Sequence, residues 1–225
     1  MAGRLTSNFG FPLFDGRRDL PVDLSERMLR ALSLQALGEV LGVDIQLGMA
    51  IDSMKATLAV KRRLACEMVK FWHQAQENIV HLPLTNGWGQ KHKLFVKWKS
   101  AEAKAAAYYY HGLILDEGNT EKSHDMAVAA LQAAEEFLKE SKKACEAFNM
   151  SPPISRNPPL WGTMKYLSEK IPKDTSSKAR INQDMYSRDK IFETAPVLPD
   201  FALALKPDDY QLPGVDASWN DETIG

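Results

Sequence analysis

The chain has 225 residues, of which 44% are hydrophobic and 25% charged, and its formal net charge is −1. This composition is typical of a globular domain with one sizeable core and excludes disorder over the whole chain. No apolar run approaches the roughly 20 residues of a membrane-spanning helix, and the first residues lack the uninterrupted apolar segment of a signal peptide. We therefore expect any membrane contact to be peripheral.

Catalytic and metal-binding motifs are missing from the sequence. The five histidines are scattered, and the metalloprotease HExxH, the nucleophile elbow GxSxG and glycine-rich phosphate loops do not occur. Cys66 and Cys145 share no CxxC spacing, which argues against a zinc site or a disulfide framework and fits a reducing cytoplasm. We expect a protein that is not an enzyme, with no cofactor, no metal and no nucleic-acid partner.

The first 81 residues predict a lead-in and two helices. Residues 1–23 mix glycine, proline and charge without periodicity, so we expect them to be extended. Apolar residues at helical spacing predict a helix over 24–50, weakened by three interior glycines. A second helix is predicted from a cap at Asp52 or Ser53 to about His81. The apolar phase continues across the junction, so one long kinked helix is the alternative.

The strongest pattern follows the predicted loop at 82–90 and covers residues 91–148. Apolar residues recur there at alternating steps of four and three in two segments, separated by the turn-forming pair Gly118–Asn119. The stripes are Leu94, Trp98, Ala101, Ala105, Tyr108, Gly112 and Leu115, then Met126, Ala130, Ala133, Phe137, Ala144 and Phe148. Central alanines let two antiparallel helices approach closely. We therefore expect an all-α fold of antiparallel helical hairpins in a curved, tetratricopeptide-like solenoid.

Prolines divide the C-terminal third. Four of them within 151–159 predict a stiff, extended connector. A short helix over about 160–170 is expected to end at Pro172, and another is expected over 176–192. Residues 195–225 are proline-punctuated and sparsely apolar, which favours an extended strap that packs its apolar side chains against the helices.

Charge is unevenly distributed along the chain. Ten basic residues stand against three acidic ones over 53–104, whereas seven acidic residues and one lysine follow from Glu193 onward. A basic helical face attracts anionic membranes or acidic proteins, at about 1 kcal/mol per basic group. The candidates are Lys61, Arg63, Lys91, Lys93 and Lys97. Two alternatives stay open: an ordinary solvated face, or neutralisation of the basic helices by the acidic strap.

Several of these segments also resemble a known family. WKSAEAKAAAYYYHGLILDEG, followed by ALQAAEEFLKESKKAC, resembles the core helical hairpin of the BRO1-like domain family. SMKATLAVKRRLACE resembles the same family, most of all its plant endosomal-targeting members, and the resemblance runs from about Leu34 to Trp219. Residues 24–225 would then be the C-terminal portion of such a domain, without the N-terminal sheet and first helices of the family.

The resemblance implies a curved, non-catalytic scaffold at endosomes. Many members of the family bind a C-terminal amphipathic helix of the core filament subunit of ESCRT-III, with apolar residues docked in a shallow patch. By register, the patch positions fall at Ile45, Leu58 and Arg62. Arg62 stands where the family has an apolar residue, and Leu58 also belongs to the stripe that we assign to the core.

Two functions follow as expectations. The first is a cytoplasmic adaptor of endosomal sorting, peripheral at endosomes, that binds an ESCRT-III-type helix, an anionic endosomal membrane, or both. The second is a truncated structural or regulatory fragment of a longer BRO1-like protein with no independent binding activity. In that case the face left open by the missing N-terminal part would be an exposed apolar surface and a route to dimers.

Overall fold

The computed structural model of the chain describes residues 21–50, 57–154, 165–186 and 194–202, with backbone alone for 43–50. Within these ranges the regular structure is entirely helical and begins with a 3-10 turn at Val22–Leu24. The α-helices are α1 (Glu26–Ala50), α2 (Leu58–Val80), α3 (Gly87–Asp116), α4 (Glu121–Met150) and α5 (Lys165–Tyr186). The predicted all-α class is confirmed. Residues 1–20 of the predicted lead-in lie outside the described residues.

Side-chain caps fix where the middle helices begin. Thr57, Asn86 and Thr120 precede α2, α3 and α4, and each accepts a hydrogen bond from a backbone amide in the first turn. At α4 the Ser123 hydroxyl in turn accepts from the amide of Thr120, at 3.2 Å, which completes a capping box. Because Asn86 starts α3 at Gly87, the loop predicted over 82–90 is shorter than expected.

α1 and α2 are separate helices that run antiparallel. Gly38 faces Trp72 and Gly42 faces Met68, so numbers rise along one helix as they fall along the other. A Cβ at Gly38 would lie 2.6 Å from the indole Nε1, and the glycine therefore permits this close approach. This arrangement excludes the single kinked helix. The predicted cap at Asp52 or Ser53 is wrong, because Thr57 caps α2 and the helix starts at Leu58.

The predicted hairpin is formed by α3 and α4. Contacts along it join Trp98 to Phe148 and Tyr108 to Phe137, with ring centroids 5.7 and 5.5 Å apart, and Gly112 to Leu131. Alanines with no exposed surface occur along both helices, among them Ala105 and Ala130. These alanines and the paired aromatic residues belong to the two predicted stripes, so the hairpin is confirmed.

α5 corrects the prediction for the C-terminal third. Pro172 lies inside one continuous helix instead of dividing two. An interior proline costs about 3 kcal/mol, but Leu167, Ile171 and Thr175 on either side of it are buried. The Thr175 hydroxyl lies 2.7 Å from the Ile171 carbonyl oxygen and 3.1 Å from that of Leu131 in α4. Packing against α4 therefore outweighs the local preference of proline. Residues 155–164 and 187–193 lie outside the described residues.

Residues 194–202 return to the other side of the molecule. They form neither helix nor strand. Leu198 and Phe201 are half-buried and pack against the main core, to which all five helices contribute. Residues 195–202 are the described part of the predicted strap, and residues 203–225 lie outside the described residues.

Candidate partner-binding surface on helix α2

Two of the three predicted patch residues lie close together on α2. Leu58 is half-buried at the first position of the helix and packs against the core. Arg62 follows one turn later on the same side, also half-buried. The third, Ile45, lies on α1, but its side chain is outside the described residues. Leu58 is thus part core and part surface, which accounts for its place in both sequence predictions.

The C-terminal segment covers this part of α2. The guanidinium carbon of Arg62 lies 5.5 Å from the centroid of the Phe201 ring, which is within cation–π range. Arg63 donates a hydrogen bond from Nη2 to the Ala202 carbonyl oxygen at 3.2 Å. Lys70 pairs with the carboxylate of Asp200 and donates to the carbonyl oxygen of Phe201. We call the face formed by Leu58, Arg62, Arg63 and Lys70 the α2 surface.

The contact between Lys70 and Asp200 bears on whether the basic helices are solvated or are neutralised by the acidic strap. One alternative was that acidic residues of the strap lie along the basic helices, and the Lys70–Asp200 pair is such a contact. The pair is partly open to solvent, since the Asp200 side chain is 89% exposed. A pair this exposed contributes only about 0–1 kcal/mol. The ring of Phe201 and the carbonyl contacts therefore do more to hold the segment in place.

Below the surface, burial controls the protonation of two groups. It raises the pKa of the Cys66 thiol to about 11, against the opposing charges of Arg62 and Lys70. It also lowers the pKa of His111 on α3, with the charge of Arg62 acting in the same direction. A thiol with so high a pKa is not a nucleophile at neutral pH. Both cysteines are free and buried.

Arg62 itself is incompletely satisfied. Its Nε is buried and has no hydrogen-bond partner in the part of the chain that the structure describes. A buried donor without an acceptor is unfavourable, and guanidinium groups pair most strongly with carboxylates. Among the described residues, the α2 surface therefore combines apolar area with a guanidinium whose Nε has no acceptor, a combination that suits an acidic, amphipathic chain.

The predicted basic face does not form as a single surface. Lys91 is only 3% exposed, and its Nζ donates to the carbonyl oxygens of Pro153 at 2.8 Å and Ser151 at 3.3 Å. Its assignment to a membrane or an acidic partner is wrong, because the chain that leaves α4 passes over the start of α3 and takes up the ammonium group. Spacing within α3 carries no sign of this contact.

The other predicted basic residues differ in exposure. Lys97 and Arg63 are exposed, although Arg63 also pairs with the buried carboxylate of Glu67 at 3.1 Å. Lys61 is half-buried. Lys93 is half-buried too, and its Nζ donates to the Leu82 carbonyl oxygen at 3.3 Å. They remain candidates for an anionic partner, but as individual cations and not as a continuous stripe.

A second polar cluster, which the sequence did not indicate, lies where α3, α4 and α5 meet. A cavity of about 230 Å³ there is lined by Asp116, His124, Val128, Lys178, Ile181, Asn182 and Met185. Asp116 pairs with Lys178 and lies 3.4 Å from the His124 ring nitrogen Nδ1. The carboxylate thus already has a cationic partner in Lys178, so the cluster offers no unpaired carboxylate of Asp116 to a ligand. The cluster could not be predicted from the sequence, because residues 116–128 and 178–185, which form it, are far apart along the chain.

Comparison with known proteins adds no relative. No protein-family model matches the chain, and no curated protein matches it. Among the described residues, no helix is both long and apolar enough to cross a bilayer, and no three His, Cys, Asp or Glu side chains lie where they could hold a metal ion.

The outer side of α1 is a further apolar surface, and its apolar side chains are exposed in the described part of the chain. Leu29, Leu32 and Val40 recur on the outer side of α1 and are each about half exposed. Their spacing places them on one face of the helix.

Proposed function

We propose that this chain is a non-catalytic, cytoplasmic adaptor of endosomal sorting whose α2 surface binds an amphipathic helix of the ESCRT-III type. The observation that carries the proposal is on α2. Leu58 and Arg62 lie one turn apart on α2, and by the register of the resemblance they correspond to positions where BRO1-like domains bind such a helix. The surface already holds an apolar and acidic chain, since Phe201 and Asp200 pack on it.

The arrangement of the helices supports the same proposal. Consecutive helices are antiparallel neighbours, and the α3–α4 hairpin is packed through alanines, so the other helices are held on a stiff frame. We interpret this frame as part of a curved, tetratricopeptide-like solenoid with the C-terminal segment as its strap. In this proposal the protein functions by binding partners on the outer faces of its helices, which requires no catalytic group.

Direct membrane contact is a smaller part of the proposal. Because Lys91 binds carbonyl oxygens of its own chain, Lys97, Arg63, Lys61 and Lys93 are left to attract anionic lipid. At about 1 kcal/mol each, four separate cations give weak, salt-sensitive binding. We propose that they assist peripheral location at endosomes and that helix docking supplies the specificity.

Titration with a fluorescent peptide of an ESCRT-III-type C-terminal helix tests the proposal. Leu58→Asp and Arg62→Glu are expected to weaken binding at least about tenfold, because each places an unpaired charge against the docked helix. Leu32→Asp on the outer face of α1 is the matched control and is expected to leave affinity unchanged. Binding should persist when salt is raised, since apolar docking is not screened. Equal affinity of all four chains would exclude the α2 site.

The exposed stripe on α1 supports a second candidate function. A structural or regulatory fragment of a longer BRO1-like protein would carry an unmatched apolar face, and Leu29, Leu32 and Val40 form one. Such a fragment would pair through α1 with a second copy or with the rest of the domain. Size-exclusion chromatography separates the two functions: a dimer that Leu32→Asp converts to a monomer favours this candidate, and a monomer at all concentrations argues against it.

A further inference from the structure

The segment 198–202 resembles a ligand of the α2 surface that is supplied by the chain itself. It contributes two half-buried apolar side chains, Leu198 and Phe201, and one carboxylate, Asp200. From Asp200 to Ala202 it passes from Lys70 towards Arg62 and Arg63, so it runs antiparallel to α2. The apolar side chains of the segment pack against the core, and its carboxylate pairs with a lysine of the α2 surface.

The segment and a docked helix would need the same place. Phe201 lies over Arg62, and Arg62 is one turn from Leu58 on the same side of α2. A helix that contacts both Leu58 and Arg62 would have to enter the volume that the Phe201 ring fills. The two occupants therefore exclude each other.

The segment is held in a way that permits its release. In the described residues it belongs to no helix or strand, so leaving the surface breaks no regular backbone hydrogen-bond ladder. Its ion pair is exposed at Asp200 and is correspondingly weak. No acceptor for the buried Nε of Arg62 is found in the segment or elsewhere in the described part of the chain. A ligand that brings a carboxylate to this nitrogen has an advantage over the segment.

We propose that residues 198–202 are an intramolecular competitor that covers the α2 surface until an acidic, amphipathic ligand displaces them. The inference rests on the proposed function in taking the α2 surface as the partner site. Being tethered, the segment acts at a high effective concentration, so a weak contact suffices to keep the site closed. The partner must then bind more tightly than the site alone would require.

The test uses the full-length chain with two labelled probes. One is a synthetic peptide of residues 194–202, and the other is the ESCRT-III-type helix peptide. Phe201→Ala and Asp200→Lys open the site in the chain, the second without loss of a buried group. Val197→Ala is the matched control, because the Val197 side chain is in the same segment and is 90% exposed.

The competitor model predicts that both opened chains bind both probes at least about fivefold more tightly than the wild-type and Val197→Ala chains. Equal binding of the 194–202 peptide to all four chains overturns the inference. If the helix binds wild-type and opened chains equally well, the inference also fails, but the proposed function stands. If the helix binds none of them while the 194–202 peptide prefers the opened chains, the competitor is real and the proposed function fails.

Discussion

The α3–α4 hairpin and the α2 surface are both contact regions, but they are built from different chemistry. The hairpin joins two regular helices mainly through apolar and aromatic side chains, with alanines that expose no surface and with Leu131 fully buried. The α2 surface joins cations to an irregular segment through one ring, one exposed ion pair and backbone carbonyls. We infer from this difference that the hairpin determines the shape of the molecule and that the α2 surface can exchange its contacts for those of a ligand.

Physical reasons support this division. Close-packed apolar contacts are lost together when two helices separate, so the hairpin has no partly open state of low energy. Exposed pairs and half-buried rings are weak individually and can be replaced one at a time by groups of a ligand. We therefore expect substitutions in the hairpin to change stability, and substitutions on the α2 surface to change binding.

The largest effect is expected for Gly112→Val in the hairpin. A Cβ at this position would lie 2.9 Å from the Leu131 Cγ and 3.2 Å from the Ala127 carbonyl oxygen, so the helices must move apart. We expect a loss of about 3 kcal/mol in the free energy of unfolding, measured by urea denaturation.

A glycine on α1 provides the matched control for that substitution. A Cβ at Gly42 would meet only the Met68 sulfur, at 3.6 Å, which is an ordinary contact. Gly42→Ala is expected to raise the free energy of unfolding by about 0.5–1 kcal/mol, because alanine favours a helix over glycine. Equal stability of the Gly112→Val and wild-type chains would break the comparison, since the hairpin would then be adaptable.

A smaller effect is expected for Lys91→Ala. The change removes the donor that two carbonyl oxygens of the connector share and leaves a gap beside Phe148, whose ring centroid lies 4.8 Å from Nζ. We expect a loss of about 2 kcal/mol in the same urea experiment. Lys97→Ala, at an exposed position of the same helix, should stay within about 0.5 kcal/mol of the wild-type chain. If the two variants lose the same stability, Lys91 does not anchor the connector.

The regions also differ in how far the sequence could predict them. Periodicity within one helix sufficed for the hairpin, since Trp98, Tyr108 and Phe137 were expected on its inner faces and are found there. Helix α5 could not be predicted in this way, because Pro172 is tolerated only through the buried contacts of Leu167 and Ile171 around it. The predictions used signals within one helix, and they failed where contacts between helices override such a signal, as at Pro172.

The candidate site shows the same limit. Leu58 and Arg62 could be proposed by resemblance, but their spacing gave no sign that Phe201, far along the chain, lies over Arg62. The charge imbalance left open that the acidic strap lies along the basic helices, yet it could not identify Lys70 and Asp200 as the pair. Lys91 was misplaced for the same reason, since its acceptors are 60 and 62 residues away.

The most direct test maps amide chemical shifts on the nitrogen-15-labelled chain during titration with the ESCRT-III-type helix peptide. If the α2 surface is the exchangeable region, the perturbed amides will be those of residues 58–70 and 198–202, while those of Ala127–Ala134 in the hairpin stay in place. Shifts centred on α4 or on the outer face of α1, with residues 58–70 unaffected, would contradict this account.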